Sequence, residues 1–184
     1  MNVKSFLFGM CCVVVATGAH AALKPGDPAP DFSVSAALGG KDFQFSLSEA
    51  LKKGPVVLYF YPKSFTRGCT IEAHEFAEGH DKFAAAGASL IGVSGDPIDV
   101  QREFSTKECA DKFPIGSDPN FSVINAYDAK RVKPSASGDT VADRISYVIL
   151  PDGKVAFALV DANPIKHVES TLEFVRKWHE EHRH

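Results

Sequence analysis

Six consecutive apolar and aromatic residues, Val56-Val57-Leu58-Tyr59-Phe60-Tyr61, stand between Gly54-Pro55 and Pro62. A run this short, without polar alternation, fits a strand covered on both faces, and such strands belong to sheets sandwiched between helices. The chain downstream obeys that constraint. From Thr66 the pattern turns helical, with Ile71, Phe76 and Phe83 set among Glu72, Glu75, Glu78 and Lys82, until Gly87 stops it. Ser89 to Ser94 reads as a second buried strand, and Asp96-Pro97 opens a helix through Val100, Phe104 and Cys109. Phe113-Pro114-Ile115 is a short strand, and Asp118-Pro119-Asn120 opens a brief helix to Tyr127. Ile145 to Leu150 and Val155 to Val160 flank the turn Pro151-Asp152-Gly153-Lys154 as a hairpin, and Pro164 to about His179 makes the last helix. From Val56 onward the order is β-α-β-α-β-α-β-β-α. It predicts an α/β fold with a central mixed β-sheet flanked by helices.

The beginning of the chain reads differently. Lys4 precedes an uncharged apolar run from Phe6 to Thr17, which ends in Ala19-His20-Ala21. That sequence of basic, apolar and small-residue regions is the pattern of a secretory signal peptide over residues 1–21, and the run falls short of the roughly 20 residues a bilayer span needs. The expectation is a folded domain over residues 22–184 in a periplasmic or secreted location, with no membrane attachment after cleavage. Lys24-Pro25-Gly26-Asp27-Pro28-Ala29-Pro30-Asp31-Phe32 is extended, Phe43 to Leu47 alternates like a strand, and Ser48 to Leu51 looks like a helical turn. A formal charge of −3 without basic runs gives no reason to expect nucleic acid as a partner.

Cleavage would take Cys11 and Cys12 and leave Cys69 and Cys109. In an oxidising compartment such a pair forms either one structural or one redox-active disulfide. The surroundings of Cys69 favour the redox-active form. Tyr61-Pro62-Lys63-Ser64-Phe65-Thr66-Arg67-Gly68-Cys69 runs from a strand end through a short loop to the first turn of a helix. A sulfur there meets free backbone N–H groups and the positive end of the helix dipole, which favour thiolate over thiol. Thr66, three residues earlier, can reach a thiolate or a bound oxygen, and Pro62 supplies a rigid wall without a donor.

Pro62-x-x-x-Thr66-x-x-Cys69 matches the motif P-x-x-x-[TS]-x-x-C, and the chain resembles the peroxiredoxins. Tyr59-Phe60-Tyr61-Pro62-Lys63 and Gly68-Cys69-Thr70-x-Glu72-Ala73 are similar to the Q-type, or bacterioferritin-comigratory, branch. The resemblance implies a thioredoxin-like fold and a thiol-dependent peroxidase acting on hydrogen peroxide and organic hydroperoxides. It makes Cys69 the peroxide-attacking thiolate, Thr66 the residue that orients the peroxide, and Pro62 the shield. Arg144-Ile145-Ser146-Tyr147 looks like the segment whose arginine holds the thiolate, and Glu72 matches an acidic position that steadies that arginine. The chemistry implied needs no metal or organic cofactor.

Many Q-type members carry a second cysteine five residues after the first, but this chain has His74 there. Relatives that resolve through the following helix make Cys109 the expected resolving cysteine, through an intramolecular Cys69–Cys109 disulfide that requires local unwinding. A thioredoxin-like or other thiol reductant would then regenerate the enzyme, and monomer or weak dimer suits the branch. The rival reading is an exported thioredoxin-like thiol-disulfide oxidoreductase. That class needs C-x-x-C, and Thr66 stands where its first cysteine would be. Lys130 to Asp143 reads as a flexible loop leading into Arg144.

Overall fold

A computed structural model describes residues 22–133 and 135–182, so the expected signal peptide at 1–21 lies outside the described residues. Twelve elements follow one another: β1 (Ser33–Leu38), β2 (Lys41–Ser46), α1 (Leu47–Leu51), β3 (Val56–Phe60), α2 (Arg67–Ala85), β4 (Ser89–Ser94), α3 (Ile98–Lys107), β5 (Ile115–Ser117), α4 (Ser122–Ala126), β6 (Ile145–Ile149), β7 (Val155–Val160) and α5 (Pro164–Glu181). They build one seven-stranded mixed sheet in the order β2-β1-β5-β4-β3-β6-β7. Strand β3, the apolar run, lies inside it, parallel to β4 and antiparallel to β6.

Both faces of β3 are covered, as the unbroken run requires. Val56, Leu58 and Phe60 join Phe32, Phe45, Tyr127 and Tyr147 in one buried cluster. Val57, Tyr59 and Tyr61 point the other way, into a second cluster with Phe76, Phe83, Phe104, Phe113 and Val175 from the α2, α3 and α5 side. Pro62 has no N–H to continue the ladder, so the strand ends where the active loop begins.

From Val56 the element order is the expected one, and the differences are one added strand and two shifted boundaries. The first is β1, which the sequence reading left out. It pairs with β2 through a two-residue turn at Gly39 and Gly40, both at positive φ (55° and 73°), the conformation that tight hairpins demand. The second concerns α3, which stops at Lys107 with Glu108 as its C-cap, so Cys109 lies past the helix and not on it. Ala110 and Asp111 follow at φ 49° and 56°, a left-handed pair that no α-helix accommodates. Strand β5 likewise starts at Ile115, because Pro114 cannot donate to the ladder and Phe113 turns inward, almost fully buried. Among the described residues no helix is long and apolar enough to cross a membrane.

Candidate active site

Thr66 is the N-cap residue of α2, and the first intrahelical bond runs from Thr70 N–H to Thr66 O at 2.9 Å. The N–H groups of Arg67, Gly68 and Cys69 precede that bond, so they lack helical acceptors and give the helix end its positive character. Cys69 is the third helical residue, 2% exposed. Arg144, the residue before β6, reaches across the sheet end, and its Nη2 donates to Cys69 Sγ at 3.4 Å. The other arm, Nη1, donates to Glu72 Oε2 one turn along α2. A Cβ at position 68 would stand 3.1 Å from Arg144 Nη2, so glycine leaves the guanidinium its place beside the sulfur.

The structure thus brings Cys69, Arg144 and Glu72 into direct contact, and Pro62, two residues past β3, is half-buried. Thr66 is exposed, and its hydroxyl proton is used locally, donated to Lys63 O at 2.9 Å. Its oxygen lone pairs remain to accept a hydrogen bond from an incoming O–H. Lys63 itself pairs with Asp139 at 3.0 Å, which ties the loop after Lys130 to the motif.

Burial dominates the electrostatics. The Glu72 carboxyl is pushed up to about 8 by its removal from water, against the opposing pull of Arg144. Burial works against the charge of Arg144 too, but Glu72 and then Cys69 outweigh it and hold the guanidinium above its ordinary value. The arginine therefore stays cationic, and it faces both Glu72 and the Cys69 sulfur. A testable consequence concerns stability. An unfolded Glu72 ionises near 4.5 and the folded one near 8, so between those values the folded chain keeps a proton that the unfolded chain has lost. Stability therefore falls as pH rises through that window. Glu72→Gln has no proton to lose, and its urea midpoint across the same range should show a shallower slope than wild type.

Cys109 has the opposite surroundings. It is fully buried, and burial raises its thiol well above the ordinary range, with Glu108 and Asp111 adding to the effect. Arginine Nη2 donates to one sulfur, whereas two carboxylates lie near the other. Both cysteines are free and belong to the same buried cluster.

Sequence reasoning missed the network beneath the loop. Tyr61 and Ser64 hydroxyls both donate to Gln101 Oε1, at 2.8 and 3.0 Å, and Gln101 Nε2 donates to Ser94 Oγ at 2.8 Å and Gly116 O at 3.1 Å. Asp96 Oδ2 accepts from Ser64 N–H at 2.7 Å and from Ser94 Oγ at 2.8 Å. Each such bond contributes about 1 kcal/mol net, and more is lost if a buried partner is left unpaired. The sequence did hold a signal, because Gln101 lies three residues before Phe104 and so shares the buried face of α3. Behind Arg144, Ser146 Oγ meets His167 Nδ1 at 2.8 Å while His167 Nε2 meets Asp161 O at 2.9 Å. A carbonyl only accepts, so Nε2 carries the proton and Ser146 donates to Nδ1. Burial lowers this histidine below its ordinary value, keeping the ring neutral.

Comparison with known proteins identifies the family. A protein-family model described as the AhpC/TSA family matches residues 25–158. A chloroplastic peroxiredoxin Q of Oryza sativa is 34% identical over 152 residues, covering 82% of this chain, and the chain spans 66% of that relative's length. The crystal structure of peroxidoxin BcpB from Mycobacterium tuberculosis superposes with a TM-score of 0.75 at 31% identity, covering 84% of this chain and 97% of that one. A peroxiredoxin Q structure from Xanthomonas campestris gives 0.70 at 27% identity over 79% and 91%. The thioredoxin-like peroxiredoxin fold expected from the sequence is the fold these structures share, and the chain belongs to the AhpC/TSA family.

Proposed function

We propose that the chain is a thiol-dependent peroxidase that runs a two-cysteine cycle from Cys69 to Cys109. The observation that carries this reading is the hydrogen bond from Arg144 Nη2 to a buried Cys69 Sγ, with Arg144 held from behind by Glu72. Thiolate attacks the terminal oxygen of ROOH, the O–O bond breaks, and RO⁻ departs to take up a proton. The Arg144 guanidinium stabilises the charge as it moves from sulfur to the leaving oxygen. The Thr66 oxygen accepts from the peroxide O–H and so sets which oxygen meets the sulfur. Pro62 keeps competing donors away. Cys69 becomes a sulfenic acid, the reversible first step of thiol oxidation.

Cys109 then closes a disulfide with Cys69, releasing water. Support for this comes from the turn that carries it. Cys109 sits outside α3, and the left-handed Ala110 and Asp111 behind it store a modest strain, about 1 kcal/mol or more each, that opening would relieve. The turn is pinned to α2 through His74–Glu108 at 2.8 Å, with His74 exposed and Glu108 partly buried. An external dithiol of the thioredoxin kind restores both thiols. Every group of the centre comes from one chain, so a monomer or weak dimer suffices, and the Met1–Ala21 segment supports export to a periplasmic or extracellular location.

Cys109→Ser tests the cycle. With excess hydrogen peroxide and a dithiol reductant, wild type should turn over repeatedly, whereas the variant should complete one turnover and accumulate Cys69 sulfinic acid by mass spectrometry. A variant that cycles at the wild-type rate would show that an outside thiol resolves Cys69 directly.

A further inference from the structure

Two buried side-chain polar atoms among the described residues lack a hydrogen-bond partner: the Tyr59 hydroxyl and Glu72 Oε1. Reduction of peroxide at Cys69 gives the first of these no task. An unpaired buried hydroxyl destabilises a fold, and phenylalanine would fill the same space without it. The ring is firmly placed, stacked on Phe76 at 4.5 Å and edge-on to Phe113 at 6.1 Å. Its partner across the β3–β4 ladder is Gly92, and a Cβ there would come within 2.6 Å of the Tyr59 oxygen. Glycine thus clears the space that the hydroxyl occupies. Gly92 N–H donates to Pro114 O at 3.2 Å, so that space borders the segment joining Cys109 to β5. Tyr59, Phe113, Cys69 and Cys109 share one buried cluster. Burial holds the hydroxyl far above its ordinary ionisation range, and Cys109, Tyr61, Glu72 and Cys69 push it further, in that order.

We infer that the Tyr59 hydroxyl relays the proton that must leave Cys109 when the two cysteines join. The inference rests on the resolving role proposed for Cys109. As the Cys109 sulfur attacks the Cys69 sulfenic sulfur, an S–S bond forms and the S–O bond breaks, its electron pair leaving with hydroxide. Cys109 S–H passes its proton to the Tyr59 oxygen while Tyr59 passes its own proton to the hydroxide. The products are a disulfide, one water and an unchanged tyrosine, with no outside acid or base. A phenol suits the task because it accepts and donates at once while staying protonated at neutral pH. Cys109 needs such help because its buried thiol, near Glu108 and Asp111, resists losing the proton in advance.

Tyr59→Phe keeps the ring and removes the oxygen. Reduced wild type and variant are mixed with one equivalent of hydrogen peroxide, quenched by acid over a time series and mapped by mass spectrometry across a range of pH. In Tyr59→Phe, closure of the Cys69–Cys109 link should slow by about a hundredfold relative to sulfenic-acid formation in the same series. Its rate should also climb steeply with pH as Cys109 thiolate becomes populated, whereas wild type varies little. A variant that closes at the wild-type rate with the wild-type pH profile overturns the relay and leaves the Cys109 reading intact. Wild type that never forms the Cys69–Cys109 link overturns both.

Discussion

Cys69→Ser should abolish peroxide consumption, with a loss on the order of a millionfold or more from the wild-type rate, which leaves only the uncatalysed reaction. The substitution exchanges one atom in a site that is 2% exposed, so packing survives and the circular dichroism spectrum should match wild type. What disappears is the nucleophile. A serine hydroxyl can accept the Arg144 hydrogen bond, but one guanidinium does not ionise an alcohol at neutral pH, and among the described residues no general base stands at hydrogen-bond distance to do so. Cys109 cannot substitute, because burial and its two neighbouring carboxylates keep it a thiol. A coupled peroxidase assay on the purified variant, with the dithiol reductant in excess, measures the loss directly.

Arg144→Met carries the second large effect, on rate and stability together. The methionine fills most of the volume but removes both the donor on Sγ and the donor on Glu72 Oε2. Loss of one preorganised donor to a developing charge lowers the rate by about a hundred- to a thousandfold. Glu72, 0% exposed at its side chain, loses the donor on its Oε2, and leaving a buried polar group unpaired costs about 1–3 kcal/mol. The double variant Arg144→Met, Glu72→Leu separates the two effects. Removing the stranded carboxyl should recover most of the stability in urea melts and none of the rate. If the double variant regained activity, the arginine would be acting through the fold and not on the reacting sulfur.

The sequence made the fold legible from Val56 onward because the strands there are buried on both faces and read as unbroken apolar runs. Strand β1 escaped because its alternating burial, in Ser33-Val34-Ser35-Ala36-Ala37-Leu38, rests on small side chains whose pattern is faint. Its hairpin partner was visible, and the Gly39-Gly40 turn that joins them was the unused signal. Cys69 and Arg144 stand 75 residues apart in the chain, and composition or periodicity alone could never have paired them. The motif resemblance did so, and the geometry supplied the reason in the missing Cβ of Gly68. Gln101, Ser64 and Asp96 stayed hidden because a single buried polar residue on an amphipathic helix reads as noise until its partners are known. Cys109 was assigned to a helix because no Pro or Gly between Phe104 and Cys109 breaks one, whereas the left-handed Ala110 and Asp111 carry no mark of their conformation in residue type.

The central claim is that peroxide oxidises Cys69 first and that Cys109 answers. One equivalent of hydrogen peroxide added to the fully reduced protein, followed by peptide mapping under non-reducing conditions, tests it most directly. The account predicts a rapid Cys69–Cys109 link, preceded at the earliest times by sulfenic acid on Cys69 alone. Oxidation that begins on Cys109, or no thiol oxidation while peroxide remains unconsumed, would contradict it.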